Sequence, residues 1–474
     1  MIDEELAFAP ATELLQLLRD RAISPVELNN LYFARIERLN PQLRAFLALT
    51  RERAETAAAE AERAIVRGDE TGPLHGLPIA IKDTQSTAGV PTTMGSLLMQ
   101  DNVPSADAAI VERVLAAGAL MQGKTNVPEF GMPGTCENRL GEPGTNPWNP
   151  DCTPGGSSGG AAAAVAAGLC PLATGSDGGG SIRIPANFCG IYGIKPTHGR
   201  VSHFTGTVSD PMPNLFSQNG PLTRTVADAA LLLQVLSGHD PRDPLSLRLP
   251  PPDYAAALHR DVAGLRLAWS PDFGFADVHP DVARVTAAAA RVFEELGCHL
   301  EESDLTMEPP YNTYGPIQAA DAHTRLGAQF AAEGERMTEF ARYMIEYGAG
   351  VTTAQYARGL GEIDRFKSRM TTLFETYDLL LSPTACFTAF VNGPFPGDIE
   401  GSSIFPEQYW NGAFTLPINA IGHPAATVPA GFSSHGLPIG LHIVGAWGDE
   451  ATVLAASAAF ERARPWRDHR PPIS

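Results

Sequence analysis

Apolar positions along this chain follow two different patterns. VELNNLYFARIERL, which follows Ser24 and Pro25, is amphipathic with helical spacing, and 51–67 is a second helical segment that ends at Gly68. A serine N-cap followed by proline at the first helical position is typical of a helix start. Short apolar runs instead indicate buried strands: LPIAIKD, ALMQGKT, PLATGS, GLRLAWS, YDLLLSP, AATVPAG and GLHIVGA. Strands that alternate with helices predict an α/β fold with a mixed, mostly parallel central sheet covered by helices.

One proline-rich stretch bears on the domain organisation. HDPRDPLSLRLPPPD, residues 239–253, is linker-like and could separate two domains. The alternative is a surface loop inside one large domain, and we favour it. We therefore expect residues 1–474 to form a single domain.

Composition narrows the class of protein. With 44% hydrophobic and 18% charged residues, the chain can bury a sizeable core. Its net charge of −19 disfavours binding to nucleic acid or to an anionic membrane surface. The six cysteines form no C-x-x-C pair, and MIDEELAFAP lacks the apolar core of a secretory signal. We expect a soluble, cytoplasmic protein with free thiols, with a homodimer as an open option.

Glycine-rich loops carry the chemistry. GSDGGGSIRIP places three glycines directly before Ser181, and TPGGSSGGAAAA places Ser157 between glycine pairs. Glycine loses more backbone freedom on folding than any other residue, so such a run suits a backbone that must approach something closely. Lys82 ends an apolar strand, where a charge is expensive to desolvate. Two serines and a lysine in these settings are far more specific together than any one alone.

Several blocks together resemble the amidase signature family. They are HGLPIAIKD, GKTNVPEFG, NPWNP, PGGSSGG, GSDGGGSIRIPANFCGIYGIKPTHGRVS and SGHDPRDP, with YDLLLSPT and INAIGHPAATVPAG further on. The resemblance runs through roughly 70–245 and covers most of the chain. It implies an N-terminal helical segment 1–70, a signature core 70–245 with the catalytic site, and a remainder 246–474 that includes substrate-pocket loops.

The resemblance implies a catalytic triad of two serines and a lysine. Ser181 would be the nucleophile, Ser157 the bridging serine on a cis peptide bond after Gly156, and Lys82 the base. Burial lowers the pKa of a lysine, so a neutral Lys82 can take a proton from Ser157, which takes one from Ser181. The implied activity is cofactor-free hydrolysis of amide bonds through an acyl-enzyme on Ser181.

The glycine run then has a purpose, because an oxyanion needs backbone N–H donors with no side chain in the way. The candidate donors for this oxyanion hole are the N–H groups of Gly178, Gly179, Gly180 and Ser181. The family usually carries threonine or isoleucine where this chain has Gly178, which should loosen the loop or open space beside the oxyanion.

Two charged residues flank the glycine run. Arg183 either binds a substrate carboxylate or, with Asp177, holds the loop by hydrogen bonds. We favour the second interpretation and assign Ser158 and Thr174 to loop support as well.

The residues of the loops outside the signature core indicate the class of substrate. The stretches 131–145, 203–216 and 386–410 are rich in large apolar residues, and loops on a fixed scaffold commonly determine specificity. We expect apolar or aryl amides, with esters and carbamates (urethanes) as further substrates. The residues chosen for the pocket are Met132, Phe204, Met212, Phe390 and Trp410.

Two other functions stay open. A glutamine-hydrolysing subunit of a tRNA-dependent amidotransferase shares the signature and would need a partner protein. GGSSG also fits the G-x-S-x-G elbow of a histidine-dependent esterase, with His423, His435 or His442 available, but this leaves Lys82 unexplained. The sequence contains no H-E-x-x-H and no tight Cys/His cluster, so we expect no metal.

Overall fold

The apolar runs become the strands of one long sheet in the computed structural model, which describes residues 4–206, 215–393, 398–399, 402–403 and 412–474. Eleven strands join in the order β1-β3-β2-β4-β6-β5-β12-β13-β9-β7-β8, and β10 pairs with β11 separately. The strands are β1 Phe46–Leu49, β2 Pro78–Lys82, β3 Leu120–Thr125, β4 Leu172–Asp177, β5 Tyr192–Lys195, β6 Gln218–Thr223, β7 Arg266–Trp269, β8 His299–Glu302, β9 Leu379–Pro383, β10 Asp398–Ile399, β11 Ser402–Ser403, β12 Ala425–Phe432 and β13 Pro438–Gly445.

The sheet is mixed, as predicted. Parallel pairing joins β2 to β3 and β4, and β7 to β8 and β9. The other neighbouring pairs are antiparallel, among them the β12–β13 hairpin. The expectation of a mostly parallel sheet therefore needs correction, because apolar runs indicate buried strands without indicating their direction.

Helices cover the sheet. Ser24 and Glu27 form a capping box at the start of α2, and α3 ends at Gly68 with a φ of 76°. The helices are α1 Ala11–Arg19, α2 Pro25–Leu43, α3 Arg51–Arg67, α4 Ala109–Ala116, α5 Gly159–Ala166, α6 Arg183–Cys189, α7 Val226–Leu236, α8 Tyr254–Ala257, α9 Pro280–Glu295, α10 Pro310–Glu333, α11 Glu339–Ala349, α12 Thr353–Thr376, α13 Leu416–Ile421 and α14 Glu450–Ala463. The α/β fold is thus confirmed.

The linker-like stretch does not divide the sheet. Strand β7, which follows 239–253, reaches the N-terminal strands through β9, β13, β12 and β5. Helix α5, which begins two residues after Ser157, is buried along its whole length against this sheet. The buried helix α5 therefore supports the part of the sheet whose strands end at Lys82 and Asp177. Within the described parts of the chain, no helix is long and apolar enough to cross a membrane.

Candidate active site

Lys82 is the last residue of β2, a strand that is buried at every position. Its side chain is fully buried as well. Burial lowers the pKa of Lys82 to about 7, against the opposing effect of the nearby negative charge of Asp177. A substantial fraction of Lys82 is therefore neutral near neutral pH.

Two serines surround the Lys82 amine. Its Nζ lies 2.8 Å from Oγ of Ser157, 2.9 Å from Oγ of Ser176 and 3.2 Å from the carbonyl oxygen of Ser176. The peptide bond between Gly156 and Ser157 is cis. A Cβ at Gly156 would lie 1.8 Å from the carbonyl oxygen of Thr135, so only glycine fits there.

Ser181 lies between β4 and α6, and it is half-buried. Its carbonyl oxygen accepts a hydrogen bond from the backbone N–H of Ser158 at 3.1 Å. The hydroxyl of Ser158 donates to the carbonyl oxygen of Ser176 at 3.3 Å, and the hydroxyl of Thr174 lies 3.2 Å from the backbone nitrogen of Lys82. These contacts bring the two serine loops and the strand end with Lys82 together.

The glycine run presents fewer free donors than predicted. The N–H of Gly180 donates to Oδ1 of Asp177 at 2.7 Å, which removes it from the predicted set. The N–H groups of Gly178, Gly179 and Ser181 have no hydrogen-bond partner within the described residues. The correction follows from Asp177, whose buried carboxylate needs donors of its own.

Asp177 and Arg183 form a buried ion pair. Both oxygens of Asp177 accept hydrogen bonds from Arg183, each at 2.9 Å, and both side chains are fully buried. Burial alone would raise the pKa of Asp177, but the Arg183 guanidinium holds it well below its usual range. The same guanidinium donates to the carbonyl oxygen of Thr415 at 3.0 Å and to Oδ1 of Asn419 at 2.5 Å. This geometry favours loop support over binding of a substrate carboxylate.

Sequence reasoning missed the residues that hold this ion pair and the glycine run. Nδ2 of Asn419 donates to the carboxylate of Asp177 at 2.9 Å, and the hydroxyl of Thr415 donates to the carbonyl oxygen of Gly179 at 2.7 Å. Asn419 lies in INAIGHPAATVPAG, so the signal was present in a block that resembles the family. Ser176 stands in the glycine-rich block itself, but its contact with Lys82 depends on how the strands align.

Three of the large apolar residues predicted to line the substrate pocket pack against other parts of the protein instead. Phe390 packs in the core beside Phe188, with ring centroids 6.3 Å apart. The Arg242 guanidinium covers the ring of Phe204 at 4.3 Å. Met132 packs against a buried cluster of Met337, Ala341 and Ile345. These three residues therefore contribute to packing, which is how large apolar side chains in loops usually lose contact with water. Met212 and Trp410 lie outside the described residues.

Other side chains lie beside the glycine run. A Cβ at Gly179 would be 3.4 Å from Cδ1 of Leu416 and 3.8 Å from Nε2 of Gln318. A Cβ at Gly178 would have Ser217 as its nearest neighbour, at 3.8 Å. Leu416 belongs to an apolar cluster with Phe216, Tyr314, Ile317 and Ile363. These neighbours carry no charge.

Among the described residues, the three histidines that the esterase alternative requires do not contact the serines of GGSSG. Nε2 of His442 accepts from Arg183 at 3.0 Å, because burial keeps its pKa well below the usual value. Nδ1 of His423 contacts the carbonyl oxygen of Gly445, and His435 is exposed in the turn between β12 and β13. None of the described contacts joins these rings to Ser157 or Ser158, so the geometry does not support that alternative. The described residues also contain no cluster of metal ligands.

Comparison with known proteins identifies the family. The Amidase family model matches residues 27–454. The chain therefore belongs to the amidase signature family, and it is an amide-hydrolysing enzyme.

Individual relatives cover nearly the whole chain. An acylamidase of Rhodococcus erythropolis is 39% identical, over 99% of this chain and 98% of its own. A glutamyl-tRNA(Gln) amidotransferase subunit from Thermosynechococcus vestitus is 38% identical, over 97% and 99% respectively. The crystal structure of a bacterial aryl acylamidase superposes with a TM-score of 0.90 at 35% identity, covering 97% of each chain.

Proposed function

We propose that this enzyme cleaves apolar or aryl amides through an acyl-enzyme on Ser181, with Ser157 as bridging serine and Lys82 as base. The observation that carries the proposal is the 2.8 Å contact between Nζ of a fully buried lysine and Oγ of Ser157. A buried, neutral amine next to a hydroxyl is what a serine–lysine relay requires.

The hydrogen bonds around Lys82 support its role as a base. A neutral amine has two N–H donors and one lone pair. The carbonyl oxygen and Oγ of Ser176 can accept both N–H groups, at 3.2 and 2.9 Å. The lone pair is then left for the O–H of Ser157, which is the proton that the mechanism must move.

The reaction has two stages. The proton of Ser157 passes to Lys82, and Ser157 takes the proton of Ser181 as Oγ of Ser181 bonds to the substrate carbonyl carbon. The carbonyl π pair moves to oxygen, and its return breaks the C–N bond as the relay returns the proton to the leaving amine. Water then attacks the ester on Ser181 by the same path, releases the acid and restores the serine.

Three free backbone N–H groups form our revised oxyanion hole. They belong to Gly178, Gly179 and Ser181, whereas the N–H of Gly180 is used by Asp177. A donor fixed before the reaction stabilises the developing negative charge without reorganisation. The ion pair of Asp177 and Arg183 would act by keeping the loop in this geometry.

The substrate class rests on the uncharged neighbours of the glycine run. Leu416 and its apolar cluster lie beside Gly179, which suits an apolar acyl or aryl group. The likeness to an acylamidase and to an aryl acylamidase supports the same class. Since the relay acts on the carbonyl carbon, we also expect aryl esters and, more slowly, carbamates (urethanes) to be cleaved.

A glutamine-hydrolysing amidotransferase component is the second candidate, because a relative with an amidotransferase name is 38% identical to this chain. Against it, Arg183 is buried in an ion pair rather than placed to hold the α-carboxylate of glutamine. Turnover of glutamine by the purified chain, with an anilide left intact, would establish this candidate instead of the first.

The nucleophile can be tested directly. We expect Ser181→Ala to abolish turnover of an aryl anilide while the protein stays folded, and a serine-reactive phosphonate to label Ser181 in the wild type. The neighbouring Ser158→Ala is the matched control and should remain labelled. Labelling of Ser158 rather than Ser181 would refute the assignment.

A further inference from the structure

Gln318 brings a side-chain amide to the glycine run from a separate layer of the molecule. It lies on α10, and its Nε2 would be 3.8 Å from a Cβ at Gly179. The residues on either side of it, Ile317 and Ala319, are fully buried. This part of α10 is therefore held against the core, and Gln318 is presented from a rigid element.

The amide of Gln318 has no hydrogen-bond partner among the residues that the structure describes. Its side chain is half-buried, and Cδ1 of Leu416 lies 3.4 Å from the same Cβ position at Gly179. A side-chain amide without a protein partner keeps its N–H donors available, and a bound molecule can accept a hydrogen bond from it. The apolar surroundings would also strengthen a hydrogen bond made there.

One backbone donor of the glycine run is used elsewhere. The N–H of Gly180 is turned to Asp177, so the glycine run offers one donor fewer than its sequence suggests. The carbonyl oxygen of Gly179 is held by Thr415, which fixes the orientation of this peptide beside Gln318. Side-chain carboxamides serve as oxyanion donors in other hydrolases.

We propose that Gln318 is a further catalytic residue, whose Nε2–H donates a hydrogen bond to the oxyanion that forms when Ser181 attacks the substrate carbonyl. This inference rests on the proposed function. It adds a side-chain donor from α10 to the backbone donors of Gly178, Gly179 and Ser181. The hydrogen bond forms fully only in the transition state, so its loss should lower kcat rather than raise KM.

The test replaces the amide by an apolar group of similar size. We expect Gln318→Leu to lower kcat for an aryl anilide about 100-fold with KM changed less than about threefold, as for other oxyanion donors. Gln318→Glu should also lower kcat strongly, because a carboxylate repels the oxyanion. Gln329→Leu, at an exposed position of the same helix, is the matched control and should match the wild type.

A transition-state analogue separates this role from simple substrate binding. Affinity for an aryl boronic acid, which forms a tetrahedral adduct with Ser181, should fall in parallel with kcat in Gln318→Leu. Affinity for the aniline product should stay the same. Thermal unfolding would show that the variants fold, and Gln318→Glu provides the same comparison if Gln318→Leu does not.

The inference is overturned if kcat of a folded Gln318→Leu stays within about threefold of the wild type while Ser181→Ala is inactive. It is also overturned if affinities for the boronic acid and the aniline fall equally. Either result leaves the proposed function intact. Turnover by Ser181→Ala, in contrast, would remove the proposed function itself.

Discussion

Lys82 and Lys195 invite comparison, because each is the last residue of a buried strand and each side chain is fully buried. Burial lowers the pKa of both amines to about 7. The positive charge of Arg183 lowers the pKa of Lys195 further, whereas Asp177 and Glu450 oppose the shift. By burial and pKa the two lysines look equally suited to act as bases.

Their hydrogen-bond partners separate them. The amine of Lys195 donates to two main-chain carbonyl oxygens, of Pro196 at 3.1 Å and of His423. The amine of Lys82 contacts two hydroxyl groups, of Ser157 and Ser176. A carbonyl oxygen can only accept, so the contacts of Lys195 use its N–H groups and bring no proton to its lone pair. The difference teaches that a lowered pKa makes a base only where an acidic proton faces the amine.

Replacing each lysine by methionine gives the largest expected contrast. Lys82→Met should lower kcat/KM for an aryl anilide about 10⁴-fold, since members of such a relay act as a unit. Lys195→Met should change kcat/KM per folded molecule less than about threefold and act on thermal stability, because it leaves two buried carbonyl oxygens without a donor. Equal losses of kcat/KM in the two folded variants would contradict the assignment of Lys82 rather than Lys195 as the base.

The pH dependence of the reaction should report Lys82 alone. In the proposed mechanism the neutral amine is the active form, so kcat/KM should increase with pH as Lys82 loses its proton and level off above its pKa of about 7. Below that pKa the increase should be about tenfold per pH unit. The profile should be unchanged in Lys195→Met. A flat profile across roughly pH 6 to 8 would mean that another step or group limits the rate.

Ser176→Ala should have the smallest effect of the three. Lys82 then loses one hydroxyl contact but keeps the carbonyl oxygen of Ser176 and Oγ of Ser157. We expect kcat/KM to fall about fivefold, the equivalent of one hydrogen bond near 1 kcal/mol. The control is Ser457→Ala, a buried serine that contacts Tyr192 on the strand of Lys195, and it should stay within about twofold. A larger loss in Ser457→Ala would show that burial of serine, rather than contact with Lys82, sets the effect.

The two lysines also show which parts of the fold and of the site could be predicted from the sequence. The end of the apolar run in AIKD singles out Lys82, and the resemblance to a family gives it the role of base, whereas GIKP, which ends β5 at Lys195, is not predicted as a strand. Hydrophobic patterning located seven strands of the main sheet, whose apolar runs are short and continuous, but it missed β1, β5, β6 and β8. It could not give their directions, which depend on the connections between distant strands.

Residues that act from a distance in sequence were the hardest to predict. Gln318 stands in a helix with no motif, and its place beside Gly179 arises from packing of α10 near Leu416. Phe204 and Phe390 are large and apolar, as pocket residues often are, but Phe204 packs against Arg242 and Phe390 against Phe188. The hydrogen bond from the Gly180 N–H to Asp177 likewise depends on the backbone conformation of the turn between them, which the sequence pattern does not show.

The contacts of Arg183 have a consequence for how much of the chain an active enzyme needs. Lys82, Ser157 and Ser181 all lie before residue 245, so the first half of the chain by itself contains every member of the proposed triad. Besides Asp177, the partners that hold Arg183 are Thr415, Asn419 and His442, which come from the last 60 or so residues. We therefore expect a chain that ends before Thr415 to lack these supports of Arg183 and to be inactive, although it contains the whole proposed triad.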